Sequence, residues 1–480
     1  MNIADLQPKK VFEFFSEIAA IPHGSGNTEA LAEYCLDFAR GRGLDAYKDN
    51  GGNVMIFKNG TDGYENSESI ILQGHLDMVC EKDENCTIDI EKEGLRLCTD
   101  GKTVWADGTT LGGDDGIALA YILTILDSDN IPHPPIEALF TRDEETGMNG
   151  AFGLEASRLR SKRMINIDSE DEGIMTVGCA GGIRAYSTLP ISFISASPHL
   201  CAYEIDINGL VGGHSGIDIN KNRQNAIKLL GRLLDLCDNE IEIQIVNVEG
   251  GGKTNVIPNR AKAVICTDNA NTFKDFISRT SQALKSELKQ NESDLSISIK
   301  SLDLPEKHLD KESSQRVIRF LSNAPNGVQS MNSSIPDLVQ TSLNLGTVAM
   351  DETTMKADFL IRSNRESEKS GIAENVVSFV IQLGGKTLLD SDYPSWEYRE
   401  NSPLRDIMVA SFEELYRKQP HITTIHAGLE CGIFAGKLGD VDIVSIGPDL
   451  RNIHTPQEYM DIASVERTWK YLLKILENLK

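Results

Sequence analysis

The chain has 480 residues, 40% of them hydrophobic and 25% charged, and a net charge of −25. Such proportions describe a globular chain too long for one hydrophobic core, so two domains are expected. The acidic balance argues against nucleic acid and anionic membrane surfaces as partners. No apolar run reaches the roughly 20 residues of a membrane span. The N-terminus, MNIADLQPKK, lacks the order of a signal peptide, and a cytoplasmic protein is expected. Nine cysteines occur without a C-x-x-C pair, which points to buried reduced thiols.

In chain order, short apolar runs alternate with longer helical ones, the pattern of an α/β protein. Pro8 opens a predicted helix through Ala20, and a second helix follows Thr28. NVMIFK, SIILQGH, IEALFT and RMINID read as strands of a sheet covered on both faces. A helix is predicted after Asp115, over GIALAYILTILDS. From about Pro190 the text changes to alternating strands: AYEIDINGL, IEIQIVNVEGG, AKAVICTD, DLSISIK and MKADFLIRS. Helical runs at 222–237, 272–290 and 367–383 lie between them. Alternation marks a sheet with one solvated face. We therefore expect a second domain inserted into the first, leaving near residue 188 and returning near 393.

Five segments each carry a metal-seeking side chain where a strand run gives way to Gly, Asp or Ser. They are His75 in GHLDMV, Asp114 in LGGDDG, Glu145 in TRDEETG, Asp168 in INIDSE and His454 in RNIHTP. Two dications held roughly 3.5–4 Å apart need several negative ligands between them. Three carboxylates with a bridging hydroxide balance two dications, and two imidazoles add affinity without charge. The inventory points to a metal-dependent hydrolase, with zinc favoured and manganese or cobalt also suited. None of the five falls between Asp168 and His454, in keeping with an insertion there.

Each residue alone has a plainer reading. Asp77 shares a strand face with His75 and can fix its second nitrogen, yet a histidine at a strand end is often structural. Asp114 suits a bridging carboxylate or an Asx turn, and Asp115 suits the N-cap of the following helix. Glu144 beside Glu145 can take a proton from water, or both can be an acidic loop. His214 in GGHSG can stabilise an oxyanion or sit in a glycine turn. Arg362 can hold a substrate carboxylate or a structural ion pair, and Asn255 can offer an amide. GGGKTN is not a phosphate loop, because that motif needs glycine at Asn247.

Taken together, HLDMV, DEETGMNGA, INIDSEDEG, GCAGG, GGHSG, LNLG, LIRS and HAGLECG resemble a dinuclear-zinc metallopeptidase clan that includes carboxypeptidase G and peptidase T. The likeness is closest to the aminoacyl-histidine dipeptidases and runs from IPHGSGNTEA to the last strand. It implies a zinc-exopeptidase-like catalytic domain over 1–188 and 393–480. An inserted α+β lid and dimerisation domain would cover 189–392. It implies one metal on His75, Asp114 and Asp168, and a second on Asp114, Glu145 and His454. Asp77 would orient His75, and Glu144 would be general base and then acid. His214 would act on the substrate carbonyl, Asn255 and Arg362 on its C-terminal end, and Gly428 would line the pocket in the catalytic domain. The implied activity is attack of a metal-activated hydroxide on unblocked dipeptides, preferentially Xaa-His, by a homodimer. A tripeptidase or N-acyl amino acid amidohydrolase of the same clan is the alternative, and a silent peptide-binding protein the rival from another class. Three departures stand out. Asp115 replaces the usual Asn after the bridge, Arg142 stands where an apolar residue is expected, and His454-Thr455-Pro456 replaces His-Ser-Pro.

Overall fold

The computed structural model describes residues 3–333, 335 and 337–480. They divide into two compact units. The first comprises Met1–Gly178, Tyr398–Thr424 and Leu429–Lys480; the second comprises Cys179–Glu397 and Ile425–Gly428. The chain thus leaves the first unit about ten residues earlier than 188. The physical reason is that Gly181–Pro190 is a strand of the second unit's own sheet. Gly428, expected in the catalytic domain, groups with the second unit.

In the first unit, an eight-stranded sheet has the order 45–48, 54–58, 136–141, 70–75, 163–166, 442–445, 174–179 and 421–425. Ile70–His75 is parallel to Ile136–Thr141 and to Arg163–Asn166, which is parallel to Asp442–Ser445. The four predicted strands are all present. Ile70–His75 and Ile136–Thr141 are buried at every position, as strands covered on both faces must be. The helix Gly113–Asp127 has non-helical backbone at Asp114 and Asp115, so its regular turns begin at Gly116. It is apolar on every face from Ile117 to Leu126, apart from Thr124, and fully enclosed. A side chain at Gly116 would press on Phe15 at 3.3 Å, so glycine lets the helix Lys9–Ala19 pack close. Tyr121 donates to the Val465 carbonyl at 2.9 Å and stacks on Trp469. Lys58 caps the helix's far end by donating to the carbonyls of Ile125, Leu126 and Ser128.

The second unit is built on an antiparallel sheet of nine strands among the described residues. Its order is 296–302, 201–208, 261–267, 244–251, 339–350, 354–363, 181–190 and 386–393, with 327–331 pairing 339–350. Helices Ala226–Asp238, Ala270–Leu288, Lys311–Asn323 and Glu366–Gln382 pool their apolar faces with the sheet in one core. Sequence periodicity did not predict Lys311–Asn323 or the long strand Val339–Met350. The latter reads VQTSLNLGTVAM, whose buried polar residues break the alternation. No disulfide links the described cysteines. Cys201, the first residue of the strand Cys201–Asn208, is exposed, against the expectation of burial. No helix of the described residues is long and apolar enough to cross a membrane.

His426 is a buried titratable group of the second unit. Its Nδ1–H donates to Asn364 Oδ1 at 3.1 Å and its Nε2 accepts from Ser342 Oγ at 2.7 Å. Desolvation, then the charge of Arg362, pushes it down to about 3. Its unfolded-state value is near 6.5. The unfolded chain therefore binds a proton that the folded chain refuses, and this residue's contribution to stability is lost as pH falls from 6.5 towards 3. We expect the thermal midpoint to fall over that window, and to fall less in His426→Gln, by scanning calorimetry at stepped pH.

Candidate metal centre

The parallel strands of the first unit end side by side, and the predicted ligands follow from those ends, where open α/β sheets place their sites. His75 closes its strand and is 1% exposed. Its Nδ1 donates to the backbone carbonyl of Asp77 at 2.9 Å, which turns Nε2 towards the acids. That nitrogen lies 3.0 Å from Asp114 Oδ1 and 3.5 Å from Asp168 Oδ1. His454 Nε2 lies 3.2 Å from Asp114 Oδ2 and 2.9 Å from Glu145 Oε1. All five expected ligands thus converge, and Asp114 offers one oxygen to each imidazole.

Asp77 differs in detail from expectation. Its carbonyl, not its carboxylate, holds the His75 ring; the nearest carboxylate oxygen is 3.6 Å from Nδ1. The carboxylate instead accepts from the amides of Glu144 at 2.9 Å and Glu145 at 3.2 Å, and from Ser25 Oγ at 2.7 Å. Asp77 therefore ties the strand carrying His75 to the loop carrying both glutamates. Asp143 and His454 have φ of 52° and 59°, left-handed values that cost a non-glycine residue energy and cluster at functional sites. Arg142, the unexpected cation, pairs with Asp143 at 2.8 Å.

Asp115 does not cap the helix. Its Oδ2 accepts from the His75 amide at 3.1 Å, and donor atoms of His75, Asp115 and Asp168 gather within 4.8 Å. A side chain on Gly74 would meet that oxygen at 2.6 Å, so the strand needs glycine there. Three further acids escaped the sequence reading. Glu430 is 1% exposed and accepts from Gln73 at 2.8 Å and Thr141 at 2.7 Å, while its other oxygen has no partner. Glu170 and Glu458 also lie within electrostatic reach of Asp114. Their signals, the acidic run SEDE and the E of HTPQE, are too common in an acidic chain to single out.

The electrostatics fit a cation. Desolvation, then repulsion among the acids, pushes Asp168 up to about 6, against the pull of His75. The same two causes raise Glu144 well above the carboxylate range, and carry Glu170 to about 7 and Glu430 to about 8. Hydrogen bonding to Asp114 and Glu145 lifts His454 to about 10. Burial works against the charge of Asp114, but its contacts with His454 and His75 outweigh that and lower its pKa. This donor set is short of positive charge. Two imidazoles and three carboxylates are also the donor types that first-row dications take.

The second unit gathers other predicted residues. His214 sits in a two-stranded pairing, opposite Val256, and the Ser215 amide donates to the Asn255 carbonyl at 2.9 Å. His214 Nδ1 accepts from the amides of Gly216 and Ile217 at 3.2 and 3.3 Å, so its proton resides on Nε2. Desolvation, then Arg362, lowers its pKa, which keeps the ring neutral. Arg362 is 6% exposed; one terminal nitrogen donates to Tyr393 Oη at 2.9 Å, and its buried Nε has no partner. Gly428 is small because the Tyr393 ring would lie 2.7 Å from any Cβ there. Asn255 is exposed.

A family model described as peptidase family M20/M25/M40 matches residues 71–478. The cytosol non-specific dipeptidase of Escherichia coli (strain K12) is 36% identical over 480 residues, spanning 100% of this chain and 99% of that protein. The crystal structure of aminoacylhistidine dipeptidase from Vibrio alginolyticus superposes with a TM-score of 0.95 at 36% identity, over 99% of this chain and 98% of that one. A tripeptidase from Staphylococcus aureus, at 17% identity and a TM-score of 0.55 over 99% of both chains, shares the fold. Family match and full-length likeness agree with the strand-end cluster of imidazoles and carboxylates: this chain belongs to peptidase family M20/M25/M40.

Proposed function

We propose that this protein is a dinuclear-metal dipeptidase. The observation that carries the reading is Asp114, whose two oxygens address two separate imidazoles, as a carboxylate bridging two ions must. One ion would be held by His75, Asp114 and Asp168, the other by Asp114, Glu145 and His454, with zinc the preferred metal. When bound, such ions polarise a peptide carbonyl and lower the pKa of water towards about 7. Glu144, its backbone pinned by Asp77, takes the attacking water's proton and delivers it to the leaving amine. His214, with its proton on Nε2, donates to the carbonyl oxygen as negative charge develops there. On the resemblance, the Arg362 guanidinium and Asn255 hold the substrate's C-terminal end, and Gly428 lines the pocket.

The substrate class rests on the full-length likeness to two dipeptidases. One is named for non-specific action and the other for aminoacylhistidine, and we propose unblocked dipeptides with Xaa-His preferred. A cytoplasmic homodimer completes the proposal, on the resemblance and on the cytosolic name of the E. coli relative.

Metal-stripped protein should regain turnover when zinc, manganese or cobalt is restored. Carnosine, other Xaa-His peptides, Leu-Leu, a tripeptide and an N-acetyl amino acid make the panel. Turnover led by Xaa-His supports the preference, and even turnover of dipeptides replaces it with broad specificity. Turnover led by the tripeptide or the acetylated compound overturns the dipeptidase assignment, and no turnover despite two bound ions favours a peptide-binding protein. Glu144→Gln should lower kcat by about 10²–10⁴-fold with both ions retained. Arg362→Met should raise KM for a dipeptide yet leave KM for the matching dipeptide amide, which lacks the carboxylate, nearly unchanged.

A further inference from the structure

Glu458 lies four residues beyond His454, in the sequence HTPQE, and is 2% exposed. Its carboxylate meets three successive backbone amides. Oε2 accepts from Leu111 at 2.8 Å and Gly112 at 3.2 Å, and Oε1 accepts from Gly113 at 2.9 Å. Three consecutive N–H groups converge on one anion only if the backbone curls into a nest, and Gly112 provides the curl with φ of 64°. A side chain at Gly113 would come within 3.2 Å of Glu458 Oε1 and 3.1 Å of Leu450, a tight fit that these neighbours would have to relieve. The next residue in the chain is Asp114.

A closed ring of contacts results. His454 Nε2 meets Asp114 Oδ2 at 3.2 Å. Glu458 is held to the His454 segment by its amide, which donates to the Thr455 carbonyl at 3.1 Å. Its carboxylate in turn holds the loop that delivers Asp114. The aim of Asp114 at His454 is therefore set by a buried acid that itself touches neither ion-facing side chain. Charge-assisted bonds to backbone amides are strong and directional. An amide in place of the carboxylate would turn an NH2 group against one of the three N–H groups.

We propose that Glu458 is a positioning residue of the metal centre, which fixes the separation of Asp114 and His454 through the Leu111–Gly113 backbone. The proposal rests on the dinuclear reading above. Glu458→Gln and Glu458→Asp are the test variants; the second keeps the charge and serves if the first does not fold. Zinc affinity is measured by competition with a chelator, cobalt-loaded protein is examined by its visible absorption, and the thermal midpoint of the metal-free protein is recorded beside them. We expect one of the two ions to bind about 10–100-fold more weakly, with an altered cobalt spectrum. Wild-type affinities and spectrum in both variants would overturn the proposal, whatever the thermal midpoint, since the residue would then be structural only. If the wild-type protein itself binds no pair of ions, the dinuclear reading fails instead, and the two failures are told apart.

Discussion

Asp114 offers one carboxylate oxygen to His75 and the other to His454, and the first unit is arranged so that neither contact slackens. A carboxylate that meets two imidazoles is a demanding group, because each oxygen has to be aimed separately. His75 is aimed by the end of its parallel strand and by the Asp77 carbonyl. His454 comes from a left-handed turn some 340 residues away in sequence. Asp114 itself stands on non-helical backbone between a glycine nest and a wholly buried helix. The core beneath, with Phe15 against Gly116 and Tyr121 against Trp469, gives that helix a rigid seat.

Concentrating acids in this way works against stability. Asp168, Glu144, Glu170, Glu430 and Glu458 all have pKa values raised by desolvation and by the charge of neighbouring acids. Divalent ions invert that balance, since they are the largest local charges in any site that holds them. On the dinuclear reading, these uncompensated acids are the charge that a pair of ions would neutralise, an exchange of stability for function. Glu430 extends the exchange one layer down: with Gln73 and Thr141 it joins the strands that carry His75 and the Glu144–Glu145 loop.

The second unit works by a different economy. Its antiparallel sheet buries one face under four helices and presents hydrogen-bonding groups near the ends of strands. His214 is held neutral with its proton on Nε2, and Arg362 keeps one donor unspent. Neither state is visible in a residue's identity. Both follow from burial and from which neighbours accept or donate.

Much of this protein was legible in its sequence, because strand and helix periodicity and the turn residues at strand ends are local properties. The strands around His75, Glu145 and Asp168 and the helix after Asp115 could be read from the sequence, and the five residues proposed as ligands stood out by their shared strand-end context. Periodicity failed where polar residues are buried, as in Val339–Met350. Composition failed where acids are so numerous that Glu458 carries no distinguishing signal, and Glu430 and Glu170, though they lie inside HAGLECG and INIDSEDEG, are not singled out by being acidic. The role of Asp115, the transfer of ring-holding from the Asp77 carboxylate to its carbonyl, and the clamp of Glu458 on the Leu111–Gly113 amides required the folded chain. Each depends on a contact between segments distant in sequence, and local patterns determine which element forms but not which distant backbone group a buried side chain will meet.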